Sequence, residues 1–388
     1  MKILMVHPHD IFSMEEPWTL RIKALAREFC GRGDEVRLAY FPLTAAAAAS
    51  DKTHGEPFEC FPLQRPSGWG LAWRNMQILR RHAQWADIVH LQKCFHWASR
   101  PAAYAARTAG KPLHYDWDDW EEQIYVACAD PLSPHIRWFL RRLESDLPRI
   151  ADTVSVASDH LRHLCIQFGV KPKNIWPAPV GADLNLFGNA NPAHIQQRYG
   201  LKGPVVLYLG QLHGAQYADL FLKAAKAVSE QAPSAHFLIV GHGYQAERLQ
   251  HIAQELRLPN TTFTGALAHS EIPQVLAAAD VCVASFEDNA VTRCKSPLKI
   301  AEYMAAGKAV VASNVGEVSH MLGDAGVLVP AGDSAALAKG VTGLLRNDTR
   351  RQELGRQARR RAEEVYNWPQ TARNLSEAYE SALSKHLN

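Results

Sequence analysis

Short runs rich in valine, isoleucine and leucine alternate with helix-length segments along almost the whole chain, and no other feature restricts its fold so tightly. Brief, nearly continuous apolar runs suit strands covered on both faces, and the longer segments between them suit helical crossovers joining parallel strands. In the first half the rhythm predicts strands at Lys2–His7, Glu35–Phe41, Asp87–Leu91, Pro112–Asp116 and Thr153–Ala157. Trp18, Ile22, Leu25, Ala26 and Phe29 follow helical spacing between the first two, with Gly31 or Gly33 placed to end the helix. The second half restarts the pattern, with strands at Val205–Leu209, His236–Val240, Thr261–Thr264, Val281–Ala284, Ala309–Ala312 and Val327–Val329, and helices such as Asp219–Glu230 and Ile272–Ala278. Two doubly wound α/β domains are expected.

A chain of 388 residues agrees with that count. The Pro-rich stretch Lys171-Pro-Lys-Asn-Ile-Trp-Pro-Ala-Pro-Val-Gly reads as a semi-rigid connector, which puts the first domain at 1–178 and the second at 179–365. A last amphipathic segment, 366–388, carries Ala372, Leu375, Tyr379 and Leu383. A formal net charge of +3 argues against nucleic acid as a partner but leaves anionic small molecules open. The seven cysteines are scattered singly, as reduced thiols of a cytoplasm would be. The opening Met1-Lys-Ile-Leu-Met-Val-His-Pro reads as a core strand rather than a leader, and no apolar run of about 18 residues occurs. A cytoplasmic place is expected. Trp138 with Arg137, Arg141 and Arg142 permits peripheral contact with the inner face of a membrane, although a salt-bridged surface helix explains them equally well.

The chemistry concentrates in Ser296-Pro-Leu-Lys-Ile-Ala-Glu-Tyr-Met-Ala-Ala-Gly-Lys-Ala-Val-Val-Ala-Ser. Serine is a good N-cap, proline is tolerated at the first helical position, and Gly307 suits the turn after the last, so a helix from Pro297 to Ala306 leading into a strand is expected. Free N–H groups at its start, with the dipole, favour a phosphate there. Arg293, Lys295 and Lys299 crowd the same end, where cations have the wrong sign unless an anion sits among them. Lys299 and Glu302 share a face, one suited to phosphate and the other to a ribose or sugar hydroxyl. A snorkelling lysine and a surface glutamate remain the structural alternative.

Lys299-Ile-Ala-Glu-Tyr-Met-Ala-Ala-Gly-Lys-Ala-Val-Val resembles the donor-site helix of the large retaining glycosyltransferase family 4-like group, the glycosyl transferases group 1. Ala151-Asp-Thr-Val-Ser-Val-Ala-Ser, Pro179-Val-Gly-Ala-Asp-Leu-Asn-Leu-Phe, Leu207-Tyr-Leu-Gly-Gln-Leu, Thr261-Thr-Phe-Thr-Gly and Tyr366-Asn-Trp resemble further stretches of the same family. The resemblance implies the GT-B fold, two Rossmann-like domains facing across a cleft, with the last helix packing back on the N-terminal domain. It implies a nucleotide-diphosphate sugar bound by the second domain as co-substrate, a glycan, lipid-linked or small-molecule acceptor bound by the first, retention of configuration, and no metal. Gly210, Gln211, Gln216, Gly241, Gly243, Glu287, Cys294, Lys295, Ser296, Pro297 and Leu298 fall at its donor-binding positions, and Lys299 and Glu302 at its catalytic helix. The family commonly carries two glutamates with seven residues between them; Glu302 matches the second, and Cys294 stands at the first. Gln211 and Gln216 stand where an arginine and a lysine usually meet the diphosphate, which makes Lys299 the natural substitute, and Glu287 or Asp288 a stand-in for the missing carboxylate. A sugar-nucleotide epimerase and a non-catalytic module on the same fold remain as rival expectations.

In the first half, His114-Tyr-Asp-Trp-Asp-Asp-Trp-Glu-Glu ends a strand where open sheets place ligands. Asp118 corresponds to the family's acceptor-side histidine or aspartate; the alternative is an N-cap completed by Glu121 as a capping box. His7-Pro-His-Asp occupies the loop where the family has glycines. Gly241-His-Gly243 suits a nucleotide loop or a simple tight turn. His90, Gln92, Lys93 and His96 lack metal-ligand spacing and read as polar residues at a strand end.

Overall fold

The computed structural model describes residues 1–13, 16, 19–44, 55–65, 68–128, 133–188, 190–213 and 217–387. Trp18 of the expected helix stripe and Gln216 of the expected phosphate site lie outside them. The chain divides into two compact units, Met1–Pro179 with Trp368–Asn388, and Val180–Asn367.

In unit 1, β1 (Lys2–Val6), β2 (Glu35–Tyr40), β3 (Glu59–Pro62), β4 (Ile88–Gln92), β5 (Leu113–Trp117), β6 (Thr153–Val156) and β7 (Ile175–Pro177) form one parallel sheet in the order β3-β2-β1-β4-β5-β6-β7. The helices are α1 (Leu20–Gly31), α2 (Trp69–Trp85), α3 (His96–Ala109), α4 (Glu121–Cys128), α5 (Pro134–Ile150) and α6 (Asp159–Gln167). β1 and β4 are buried almost throughout, as the apolar runs require. Two strands depart from the sequence reading. β3 was not expected, being four residues long and closed by a proline. β7 lies inside the stretch read as a connector: Ile175–Pro177 pairs with Val154–Val156 as an edge strand, the one place in a sheet where proline costs no ladder bond.

In unit 2, β8 (Val205–Leu209), β9 (His236–Val240), β10 (Thr261–Phe263), β11 (Val281–Ala284), β12 (Ala309–Asn314) and β13 (Val327–Pro330) form a second parallel sheet, ordered β10-β9-β8-β11-β12-β13. Around it run α7 (Ala193–Arg198), α8 (Ala218–Gln231), α9 (Ala246–Glu255), α10 (Ile272–Ala278), α11 (Ala290–Cys294), α12 (Leu298–Ala305), α13 (Val318–Leu322), α14 (Ser334–Leu345) and α15 (Asp348–Glu364). Tyr208, Phe221, Phe237, Val283 and Val311 belong to its apolar core. α12 and α15 pack so closely that a Cβ on Gly355 would lie 2.2 Å from the Gly307 carbonyl oxygen, which only glycine avoids. The chain then returns to unit 1 as α16 (Trp368–Leu387), which lies against α1, β5, β6 and β7.

In each sheet the strand order changes direction once, between β1 and β4 and between β8 and β11. Loops leaving the carboxyl ends of those strands diverge, and ligands of open α/β sheets bind in the crevice so formed.

Candidate functional site

The switch point of unit 2 is built around Lys299. α12 begins at Leu298, with Pro297 in extended conformation at the N-cap position, one residue later than the sequence suggested. Ser296 is not the cap: its hydroxyl accepts instead from the backbone N–H of Val180 at 3.2 Å, a partner 116 residues away. Tyr303 fixes the helix to the sheet, accepting from the N–H of Leu209 at 3.0 Å. One turn earlier, Lys299 reaches across the carboxyl ends of β8 and β11, its Nζ 4.4 Å from the Tyr208 ring centroid and 5.6 Å from that of Phe286. The ammonium is buried and has no hydrogen-bond partner among the described residues. Burial, and after it the charge of Lys295, push its pKa down to about 7 against the pull of Glu302. The aromatic faces offset part of the lost hydration, but a buried, unbonded cation calls for an anion.

Around it the predicted residues separate into those that line the crevice and those with structural tasks. Lys295 is half-buried, and its charge also acts on His213, whose pKa burial, His242 and Lys295 together lower. Arg293 is exposed and chelates Asp288 at 2.6 and 3.0 Å, so in this structure the two residues face each other at the surface. Cys294, expected at the position of the first glutamate, is buried. Glu287 is exposed on the loop after β11, and its carbonyl accepts from Thr292 Oγ1 at 2.6 Å. Glu302 is held by His269, with Nε2 3.0 Å from Oε1. Gly210 begins the loop after β8, its N–H bonded to the Val240 carbonyl at 2.9 Å, and half-buried Gln211 follows. Gly241 and Gly243 are required by close backbone approach, since Cβ atoms there would lie 1.8 Å from the Gly210 oxygen and 2.3 Å from the Leu212 oxygen. The two loops are thereby locked together, with Leu212 N–H donating to the His242 carbonyl at 3.0 Å.

Sequence reasoning missed the aromatic seat of Lys299, because Tyr208 and Phe286 read as core. It also missed Asn289, which caps α11 through Val291 and Thr292 and donates from Nδ2 to the Tyr217 hydroxyl. The Tyr217 carbonyl in turn accepts from Ser285 Oγ at 2.9 Å, so the loops after β8 and β11 are joined beside the crevice.

At the switch point of unit 1, Lys93 leaves β4 with a positive φ of 66° and is almost fully buried. Its Nζ lies 2.9 Å from Glu121, 3.0 Å from Asp119 and 3.4 Å from Asp118. Oxygens of these three carboxylates lie within 4.8 Å of one another, a spacing that suits a metal ion, and the ammonium occupies their midst. Burial lowers the lysine's pKa, but the carboxylates outweigh it and hold it well above its ordinary value. Asp118 is gripped from two sides, by Lys93 and by Gln92 Nε2 at 2.8 Å; burial pushes its pKa up to about 6, against Lys93 and with the help of Asp119. It is not a helix cap. That task falls to Glu144 of α5, which accepts from the N–H groups of Glu121 at 2.8 Å and Glu122 at 3.1 Å and from Trp117 Nε1 at 3.1 Å.

Asp116 of β5 is fully buried and structural. Arg21 of α1 chelates it at 2.8 and 2.9 Å and also donates to the Ala178 carbonyl at 2.9 Å, while Ser155 Oγ adds a bond of 2.6 Å. Burial alone would raise its pKa; the guanidinium overrides that and holds it far below the usual range. His7, after β1, is fully buried with neither ring nitrogen bonded among the described residues, and burial, then His9 and Lys93, keep it neutral. His9 lies 2.8 Å from Glu16, which Arg65 also reaches at 2.8 Å. His90 is bonded to Tyr379 of α16 at 2.7 Å.

Residues 203–347 match the family described as glycosyl transferases group 1, and residues 19–181 match the glycosyl transferase 4-like domain. A phosphatidyl-myo-inositol mannosyltransferase of Mycobacterium leprae is 33% identical over 193 residues, 48% of this chain and 49% of the relative. A GDP-mannose-dependent alpha-(1-6)-phosphatidylinositol monomannoside mannosyltransferase of Mycolicibacterium smegmatis is 28% identical over 254 residues, 63% of this chain and 65% of the relative. The chain thus spans about half to under two thirds of the length of these relatives. Among solved structures, Anabaena HepE in complex with UDP and glucose superposes with a TM-score of 0.76 at 21% identity, covering 97% of this chain and 98% of the other. A sucrose-phosphate synthase from Thermosynechococcus elongatus superposes at 0.74 with 19% identity, covering 99% of each.

Proposed function

Because the chain belongs to the group 1 glycosyltransferases and has their GT-B fold, we propose that it moves a sugar from a nucleotide-diphosphate sugar to a hydroxyl of a glycan or lipid-linked acceptor, with retention of configuration and without a metal. The observation that carries this reading is the Lys299 ammonium, buried and unbonded at the switch point of unit 2. A diphosphate placed against it gains a cation whose hydration has already been lost, and transition-state charge on the leaving diphosphate strengthens that contact further. Lys295 and the N–H groups at the start of α12 add to the same field. HepE in complex with UDP and glucose, on the same fold, supports a nucleoside diphosphate as the group received here.

Glu302, oriented by His269, suits a ribose or sugar hydroxyl, and it stands alone because Cys294 offers no carboxylate. Unit 1 supplies the acceptor side, where Asp118 is held by Gln92 and Lys93 so as to accept a hydrogen bond from a hydroxyl. The departing phosphate takes the acceptor proton, so no enzyme nucleophile is needed. Calorimetric titration with UDP and GDP, before and after Lys299→Met, tests the reading. Binding of a nucleoside diphosphate that the substitution weakens by on the order of a hundredfold is expected, the worth of a desolvated charge pair. Absence of any nucleotide binding would leave a non-catalytic module in its place.

A further inference from the structure

Among the described residues, Lys93, Tyr217, Arg257 and Asn260 have a positive φ without being glycine. Arg257 and Asn260 belong to the turn between α9 and β10, whereas Lys93 and Tyr217 stand at the two switch points, one in each unit. Lys93 is held there by its three carboxylates. Tyr217 has no such charge to hold it, and a bulky aromatic residue is poorly suited to its φ of 52° and ψ of 39°, in the left-handed region at the N-cap of α8. Backbone strain of this kind persists only where the surroundings impose it, and it gathers at sites that bind or react.

Each part of Tyr217 has a partner. Its carbonyl oxygen accepts from the N–H of Leu220 at 3.2 Å, in the first turn of α8, and from Ser285 Oγ at 2.9 Å. The ring packs against the apolar core of unit 2, and the hydroxyl accepts from Asn289 Nδ2. Glycine would adopt the same turn without strain and offer the same carbonyl. What the tyrosine adds is its ring and the hold of its hydroxyl on Asn289.

Ser285 and Asn289 lie on the loop after β11, which forms part of the seat of Lys299. Ser285 is fully buried and adjoins Phe286, whose N–H donates to Ser313 Oγ at 2.9 Å and whose carbonyl accepts from Gly332 N–H at 2.9 Å. Asn289 closes the far end of the loop, capping α11 through the N–H groups of Val291 and Thr292 at 3.1 Å each, while Thr292 Oγ1 donates back to the Glu287 carbonyl. The Lys299 ammonium has no hydrogen-bond partner among the described residues, so packing sets its place, and the Phe286 ring, 5.6 Å away, is one of the two aromatic faces beside it. A close-packed interior passes a displacement of such a ring on to its neighbours.

We propose that Tyr217 is a positioning residue for the donor diphosphate: by tying down Ser285 and Asn289 it keeps Phe286, and with it the Lys299 ammonium, where the phosphates are received. The proposal rests on the donor-site reading above. Tyr217 acts through Phe286 and Lys299 and not by touching the ligand.

The test is calorimetric titration of the full chain with UDP and GDP. Tyr217→Phe keeps the ring and cuts only the tie to Asn289, and Ser285→Ala cuts the other tie. Each should weaken binding by roughly two- to tenfold, the usual effect of one lost hydrogen bond. In a Lys299→Met background neither should weaken it further, because residues that act through one another are not additive. Unchanged melting temperatures confirm folding. A parent chain that binds neither nucleotide removes the donor reading and this role with it. Binding by the parent that both substitutions leave unchanged, or that they weaken as much in the Lys299→Met background as in the parent, overturns the positioning role alone.

Discussion

His269 Nε2 lies 3.0 Å from Glu302 Oε1, so a half-exposed imidazole holds a carboxylate that is itself 7% exposed. The pair comes from two elements, the turn before α10 and the middle of α12. On the proposed donor reading, the imidazole fixes the direction in which Glu302 meets a ribose hydroxyl. His269→Ala should therefore raise the donor Kd by roughly ten- to a hundredfold, the usual worth of a hydrogen bond to a charged group. His269→Gln, which keeps an N–H donor, should recover most of the loss. Calorimetry with a nucleoside diphosphate and its 2′-deoxy form is the measurement, and the gap between the two should shrink in the alanine variant.

Lys299 carries predictions of opposite sign for stability and binding. Its pKa of about 7 in the folded chain lies below the roughly 10.4 of an open one, so unfolding takes up a proton between those values. The penalty of burying the charge is therefore complete below about pH 7 and relieved as pH rises towards about 10.4. Lys299→Met should flatten that slope and raise the melting temperature of the unliganded protein by at least about 3 °C at neutral pH, while weakening nucleotide binding. Nucleoside diphosphate binding at pH 8 should take up a proton in the parent and none in the variant, read from calorimetric heats in buffers of different ionisation enthalpy.

Asp118 accepts a hydrogen bond from an acceptor hydroxyl only when ionised. Acceptor binding should strengthen as pH rises through about 6, the value to which burial lifts this carboxyl. Lys93 favours the ionised form, so Lys93→Met should move the midpoint of that rise to higher pH. Asp118→Asn should raise the acceptor KM or lower kcat by on the order of a hundredfold and leave nucleotide affinity within about twofold. Initial rates with varied acceptor across pH 5 to 8 separate these outcomes.

Gly241 tests whether the lock between the loops after β8 and β9 is needed for folding. A Cβ there would stand 1.8 Å from the Gly210 carbonyl oxygen, in a backbone with φ of 146°. Gly241→Ala should cost about 2–4 kcal/mol in urea unfolding. Gly31→Ala, where a Cβ meets nothing within 4 Å, should cost nothing measurable or stabilise slightly.

The sheets were legible because strands buried on both faces must be apolar for their whole length, and β1, β4, β8, β9, β11 and β12 announce themselves that way. β3 and β7 were not, because three or four residues beside a proline look like a turn until a neighbouring strand is there to pair with. The candidate site was legible as a stretch but not as a geometry. Ser296 satisfied every local rule for an N-cap, yet Val180 captures its hydroxyl from far along the chain. Arg293 reads as a cation near the phosphate, and in the structure it also pairs at the surface with Asp288, five residues earlier. Asp118 with Glu121 had the spacing of a capping box, yet Glu144 does the capping and frees both for Lys93. For Ser296 and for the start of α4 the competing partner becomes visible only once segments distant in sequence are adjacent in space.

The return of α16 to unit 1 bears on how the chain is made. Tyr379 covers His90, at 2.7 Å from its Nδ1, and stacks on Phe29, so the first unit to leave the ribosome lacks part of its own interior until α16 has been made. Val180–Asn367 is continuous and can complete its core beforehand, which inverts the common N-terminal-first order of maturation. A nascent chain halted before Trp368 therefore presents an open seam of buried histidines and apolar helix faces, the kind of surface that chaperones hold and proteases find.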